Sequence, residues 1–252
     1  DLRLFRSRSF SVGVLCSSGA FGAFFASIVL LPLWLQTNQG YTATWAGYAM
    51  AVNGIFAVIM GPIVASVLMP RFDPRILASY GLVVLAAVAW MRGGFTPDID
   101  FFHVMLPQLI QGTAMPFFFI PLMVIAMAGV KPQDMASATG LFNFVRTLCV
   151  AFATALTTTF WADDAILSRE QIVTHVSMLN QPTVETMNAL QQHGLPYETA
   201  RSVIEYTVQQ QATTASTVHI FQATAFLFLI AAAIIWVAKP PKPGSAAPVD
   251  AH

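Results

Sequence analysis

The chain has 252 residues, 56% of them hydrophobic and only 10% charged, and its twelve basic and twelve acidic side chains balance to zero net charge. A soluble domain of this length carries about a quarter charged residues, so the composition is that of an integral membrane protein. Zero net charge leaves no electrostatic footprint for nucleic acid, and the two cysteines, Cys16 and Cys149, sit in apolar surroundings without metal-ligand spacing and read as small buried hydrophobes.

Six apolar stretches, at 10–35, 43–69, 76–95, 101–130, 135–161 and 218–238, each reach the ~20 residues a helix needs to cross a bilayer. Barrel strands are ~10 residues long and alternate in polarity, so these are helices and the fold class is an all-α membrane protein. The chain opens on Asp1, and its basic head leads into a stretch too long for a signal peptide; a piece of a longer polypeptide is expected. Basic residues set the orientation. With a cytoplasmic N-terminus, that side holds Arg3, Arg6, Arg8, Arg71, Arg75, Lys131, Lys239 and Lys242. The other side then holds Arg92, Arg169 and Arg201, and both termini are cytoplasmic.

In the second stretch Gly47, Gly54 and Gly61 recur at intervals of seven, a smooth stripe for close helix approach. Asn53 beside them is an amide at membrane depth, either interhelical glue or a cavity group. The turn Pro70-Arg71-Phe72-Asp73-Pro74-Arg75 follows. Its Arg71, Asp73 and Arg75 either fix topology or latch a conformation by pairing with helix ends and acidic residues.

The fourth stretch contains Pro107, Pro116 and Pro121, each of which removes a backbone hydrogen bond and favours a bend. Gln108, Gln111, Met115 and Phe118 share one helical face at 3-4-3 spacing. A Met and aromatic stripe alone is ordinary packing; the two amides turn the reading toward a surface for amphipathic or aromatic molecules.

The fifth stretch carries one charge, Arg146, about midway. A charge at that depth costs on the order of 2.5–3.5 kcal/mol by insertion scales and persists where it faces protein or water. Thr139, Asn143, Arg146, Val150, Thr154 and Thr157 follow 4-3-4-4-3 spacing along one face. The threonines read equally well as interhelical glue. Asn143 and Arg146, one turn apart, read as a cavity lining.

Between the fifth and sixth stretches lies a long polar segment, 162–217. Ser168-Arg169-Glu170-Gln171 fits a capping-box helix start, and Gly194-Leu195-Pro196 fits a break before a new helix. Tyr197, Ala200, Arg201, Ile204 and Val208 continue at helical spacing toward the last stretch. The expected organisation is five spans over 1–161, an external helical hairpin over 162–217, a last span over 218–238 and a disordered Pro- and Ala-rich tail over 239–252. His175 and His193 lack ligand spacing, so no metal site is expected. Nor does the sequence hold a nucleophile elbow, a zinc-protease motif, a phosphate-binding loop or a dinucleotide fingerprint, so neither an enzyme nor a bound cofactor is expected. Asp and Glu are confined to loops and termini, which leaves His219 as the nearest proton carrier.

The run Leu31-Pro32-Leu33-Trp34-Leu35-Gln36, followed by Gly40-Tyr41-Thr42-Ala43-Thr44-Trp45-Ala46-Gly47, resembles the C-terminal half of the EmrB/QacA-type fourteen-helix drug:proton antiporters of the major facilitator superfamily. So do residues 108–112 and the run Ser137-Ala138-Thr139-Gly140-Leu141-Phe142-Asn143-Phe144-Val145-Arg146. The resemblance spans nearly the whole chain, hairpin included. It implies a six-helix half bundle, the last six of fourteen spans, in a bacterial inner membrane. It further implies export of amphipathic compounds in exchange for protons, with Arg146, Asn143, Gln108, Gln111 and Asn53 lining a central cavity beside Met115 and Phe118. The implied partners are the bilayer, the N-terminal half of the transporter, a periplasmic adaptor and an outer-membrane channel. Two departures stand out. In the family's cytoplasmic loop motif Arg71 and Arg75 fill basic positions, but Pro70 stands in the acidic place and Asp73 in the glycine place. The fourth-span pattern of the N-terminal half, Arg-x-x-Gln-Gly, has Gln108-x-x-Gln111-Gly112 as its counterpart here, without the arginine, as the resemblance implies for a C-terminal half that shapes the substrate path. Rival readings are a dedicated exporter of a siderophore- or lipid-like metabolite and a non-transporting scaffold; polar groups at membrane depth weigh against the scaffold.

Overall fold

The computed structural model describes residues 2–6, 8–128, 130–176 and 181–237; the tail expected to be disordered lies outside the described residues. Seven α-helices occur in the described chain: α1 (Arg8–Thr37), α2 (Ala43–Ile63), α3 (Pro74–Arg92), α4 (Phe101–Met127), α5 (Met135–His175), α6 (Gln181–Gln192) and α7 (Tyr197–Ile234). All except α6 contain a segment long and apolar enough to cross a membrane. No strand occurs among the described residues.

Local chemistry sets the helix starts. Thr42 Oγ1 accepts from the Trp45 amide at 3.3 Å, Asp73 Oδ1 from the Arg75 amide at 2.8 Å and Asp100 Oδ1 from the His103 amide at 3.4 Å. Each satisfies a first-turn N–H that has no intrahelical partner. Pro74 occupies the first turn of α3, where its missing N–H is not needed. The prolines inside α4 are absorbed without ending the helix, which runs unbroken to Met127.

Helix α1 is the hub, 72% buried along its apolar window, whereas α2 is 11% and α5 6% buried along theirs. The core centres on Phe21 and Phe24 of α1, whose rings meet Phe118 and Phe119 of α4 at centroid distances of 4.6–5.6 Å. Glycines let the helices close. A methyl on Gly81 would stand 2.8 Å from the Phe118 amide nitrogen, and one on Gly13 2.8 Å from the Ala126 Cα. At Gly112 it would overlap the Asn53 carbonyl oxygen, which fixes the α2–α4 approach. The Gly47, Gly54 and Gly61 stripe behaves differently: nothing lies within 4 Å of where their side chains would be. The sequence pattern marks a smooth face, and that face has no partner among the described residues.

The polar segment departs from expectation at its start. Helix α5 runs 41 residues without a break, and Ser168 is buried inside it rather than capping a new helix. The preceding Ala162, Ala165, Ile166 and Leu167 offer no breaker, so the Ser168 hydroxyl has no free first-turn amide to accept from. Helix α7 likewise runs 38 residues from Tyr197 into the last span. At 1.5 Å per residue these helices are ~62 and ~57 Å long, well beyond a ~30 Å hydrocarbon core. With α6 they form a helical hairpin standing on the bundle. Its base is cross-linked by Trp161 Nε1 donating to Thr217 Oγ1 (2.9 Å), Ser216 Oγ to the Trp161 carbonyl (2.8 Å), and a 2.8 Å contact between His219 Nδ1 and Asp164 Oδ2. From α1, Trp34 Nε1 and Asn38 Nδ2 both donate to Thr214 Oγ1.

Candidate functional site: two guanidinium groups in the bundle

The sequence reading counts Arg92 among the external cations. The structure places it inside, 2% exposed. Side chains on a helix tilt toward its N-terminus, so an arginine in the last turn of α3 folds back into the bundle instead of out of it. Its Nη1 donates to Ser27 Oγ of α1 at 3.1 Å, and its Nη2 donates to Gln108 Oε1 at 3.0 Å and to Gln111 Oε1, both of α4. The Phe221 ring of α7 lies 5.5 Å away, close enough for a cation–π contact, and the Nε group is buried without a hydrogen-bond partner. Gln108 is engaged on its other side, where Nε2 donates to Met50 Sδ of α2. One guanidinium thus joins α1, α3, α4 and α7, and reaches α2 through Gln108.

Arg146 has the opposite setting. It is half-buried, with its guanidinium 5.0 Å from the Phe21 ring centroid and 5.7 Å from that of Phe142. Two aromatic faces hold the cation in place of an acid. The ion pairs His103–Asp100, Arg201–Glu205 and His219–Asp164 all lie away from it. Asn143, one turn back, is half-buried as well. This edge of α5 therefore presents a positive, hydrogen-bond-donating group beside phenylalanine rings, an arrangement that receives an anionic or strongly accepting group with an apolar body.

The remaining candidates scatter. Gln108 and Gln111 are buried and serve Arg92; Phe118 is a fully buried core ring, and Met115 packs half-buried against that core. Asn53 is 7% exposed with its Oδ1 unpartnered, next to the tight approach at Gly112. At the other end of the bundle Arg71 is exposed, Asp73 caps α3 and Arg75 is buried. Arg92 is the residue the sequence reading missed. The available signal was its place within the third apolar stretch, three residues before the end at Phe95. Among the described residues no group of three or more His, Cys, Asp or Glu could hold a metal.

Six helices long and apolar enough to span a membrane, packed on the aromatic core of α1 with α2 and α5 left bare, are the architecture of a multi-pass membrane protein. Residues 2–154 match the family model described as Major Facilitator Superfamily, and the chain belongs to that family. It is 37% identical to the multidrug export protein EmrB of Escherichia coli (strain K12) over 96% of this chain and 47% of that protein. It is 38% identical to EmrB of Haemophilus influenzae and 33% identical to the fatty acid resistance protein FarB of Neisseria gonorrhoeae, with the same shares covered. The likeness is that of the C-terminal half of an EmrB-type transporter, and the chain spans about half the length of the curated relatives it matches. Among solved structures, it resembles a bacterial homologue of the human lysosomal transporter Spinster in an inward-facing, unoccupied conformation. That match has a TM-score of 0.64 at 17% identity, over 94% of this chain and 49% of the other, and shows the fold alone.

Proposed function

We propose that the chain is the substrate-path half of a multidrug efflux transporter that exports amphipathic compounds from the bacterial inner membrane in exchange for protons. The observation that carries this reading is Arg146: a guanidinium at membrane depth, held by two rings and paired with no acid among the described residues, on an edge those residues leave partly open. Asn143 adds a second polar contact there, and Asn53, Gln108, Gln111, Met115 and Phe118 shape the path from behind. The apolar stretches hold no Asp or Glu, so the proton-carrying carboxylate belongs to the N-terminal half. That half packs on α2 and α5, as their exposure and the open glycine face of α2 support. The termini are cytoplasmic, the turn at 70–75 is the conformational loop, and the hairpin stands in the periplasm. There it meets an adaptor that leads to an outer-membrane channel.

The test is Arg146→Ala in the intact transporter, expressed in a strain lacking its own exporters. Normal accumulation with at least tenfold lower drug resistance is expected; unchanged resistance refutes the assignment. A dedicated exporter of a lipid-like metabolite is the second reading, favoured by the likeness to a fatty acid resistance protein. Efflux of one compound class from a broad panel would select it.

A further inference from the structure

Helix α1 ends at Thr37, while α5 and α7 run on past it into the hairpin. Beside that end lies a cavity of about 230 Å³, lined by Asn38 just beyond α1, Trp161 of α5, and Tyr206, Gln209, Gln210 and Thr213 of α7. Every side chain that lines it is uncharged. None of them contacts Arg92 or Arg146, so the cavity is separate from both guanidinium groups.

The hydrogen bonds around the cavity fix which polar atoms are left for a ligand. Asn38 Nδ2 donates to the Gln210 carbonyl at 3.2 Å and to Thr214 Oγ1 at 2.8 Å. The Thr214 hydroxyl gives its own proton to the same Gln210 carbonyl, so toward Asn38 it can only accept. Gln210 Nε2 donates to the Asn38 backbone carbonyl at 3.0 Å. Gln209 Nε2 donates at 3.3 Å to Thr213 Oγ1, whose proton goes to the Gln209 carbonyl. Each amide is therefore oriented by partners that can only accept, which settles which end is oxygen. Thr37, which also lines the cavity, spends its hydroxyl proton on the Leu33 carbonyl, and Trp161 spends its Nε1 proton on Thr217. Asn38 Oδ1, Gln209 Oε1 and Gln210 Oε1 accept no hydrogen bond among the described residues. The lining commits its donors to the fold and keeps a surplus of acceptors.

We propose that this cavity binds a single sugar ring of a neutral carbohydrate. Sugar hydroxyls donate into the unused amide oxygens, and the apolar C–H face of the ring covers the aromatic surface of Trp161 and Tyr206. A charged ligand would give up its hydration here without meeting an opposite charge, so the uncharged lining favours a neutral one. The sugar comes either from a free glycoside or from a glycolipid headgroup at the membrane surface. The site stands apart from the proposed export path and is read by binding, without any transport step.

The experiment is a ligand-observed NMR titration of the full-length transporter in phosphatidylcholine nanodiscs, whose headgroups carry no hydrogen-bond donor. The probes are methyl glucoside and its per-O-methylated ether, which keeps the ring and loses every donor. Methyl glucoside is expected to bind at least tenfold more tightly than the ether. Its affinity should fall at least fivefold in Tyr206→Ala and several-fold in Gln209→Leu, and less than twofold in Gln209→Glu, which keeps an acceptor. Tyr206 and Gln209 are both exposed, so these changes spare the packing of the bundle. The site is overturned by any of four results: no methyl glucoside binding by the wild type, equal binding of the two probes, unchanged affinity in both Tyr206→Ala and Gln209→Leu, or equal losses in Gln209→Leu and Gln209→Glu. Repeating the titration with a monogalactosyl lipid added to the nanodiscs separates the sources. Weaker methyl glucoside binding there marks a lipid-borne sugar as the occupant, and equal binding marks a free one.

Discussion

Arg92 and Arg146 bring positive charge into a bundle whose apolar stretches hold no acid, and each is stabilised differently. Arg92 relies on neutral oxygens from Ser27, Gln108 and Gln111, so its charge is solvated by the protein without being neutralised. Removing one acceptor from a buried charged donor costs about 1–3 kcal/mol or more. Gln111→Leu should therefore lower the thermal unfolding midpoint of the detergent-solubilised transporter by several degrees. Gln111→Glu, which places a carboxylate on the guanidinium, should leave the midpoint unchanged or raise it; equal losses in both variants would mean that the amide's shape matters and its acceptor does not. Arg146 instead relies on ring faces, which need its planar group. Arg146→Lys should retain export between wild type and Arg146→Ala, read as drug resistance at matched protein levels. Arg146 was legible in the sequence because a lone charge midway along an apolar stretch has few explanations. Arg92 was not, because its Cα lies near the end of a stretch and only the side-chain direction carries the guanidinium inward. The missing arginine of the fourth-span pattern takes on a new sense here. Gln108 stands in its place, and α3 supplies a guanidinium to that glutamine.

At the scale of helices, glycine matters according to what faces it. The α2–α4 crossing closes at Gly112, where an added methyl meets the Asn53 backbone, which no rotamer change can move aside. Gly112→Ala should force the helices apart and lower the amount of folded transporter recovered from membranes. Gly54→Ala meets open space in this chain and should leave recovery intact. If α2 packs against the other half, the larger Gly54→Leu should reduce export while sparing the fold of this half; full export would remove the glycine face from that contact. Spans were readable because a bilayer imposes length and apolarity on every helix that crosses it. Which helix faces which was not readable, since a smooth stripe looks the same whether its partner lies in this chain or beyond it. The misplaced start at Ser168 has a similar cause. A capping box and a mid-helix Ser-x-x-Gln share residue types, and only the continuous α5 distinguishes them.

At the scale of the whole molecule, the two long helices carry apolar side chains far past the spans. Ile166, Leu167 and Val173 of α5 and Val203 and Tyr206 of α7 are exposed on the hairpin. Under the proposed orientation this surface stands in the aqueous periplasm, where exposed apolar area of this kind marks a contact for another protein. The base of the hairpin is fixed independently of its tip. Trp34, Asn38 and Trp161 bond to Thr214 and Thr217 at the top of the bundle, and these ties lie outside 168–192. Deleting 168–192 should thus leave the six spans assembled and remove the tip. The proposed function then predicts normal membrane accumulation with at least a fivefold loss of a co-purified periplasmic adaptor. The double variant Leu167→Ser and Val173→Ser should reproduce part of that loss with the hairpin still in place. Undiminished adaptor recovery from both would assign the docking surface to another part of the transporter and leave the hairpin as a spacer above the exit path.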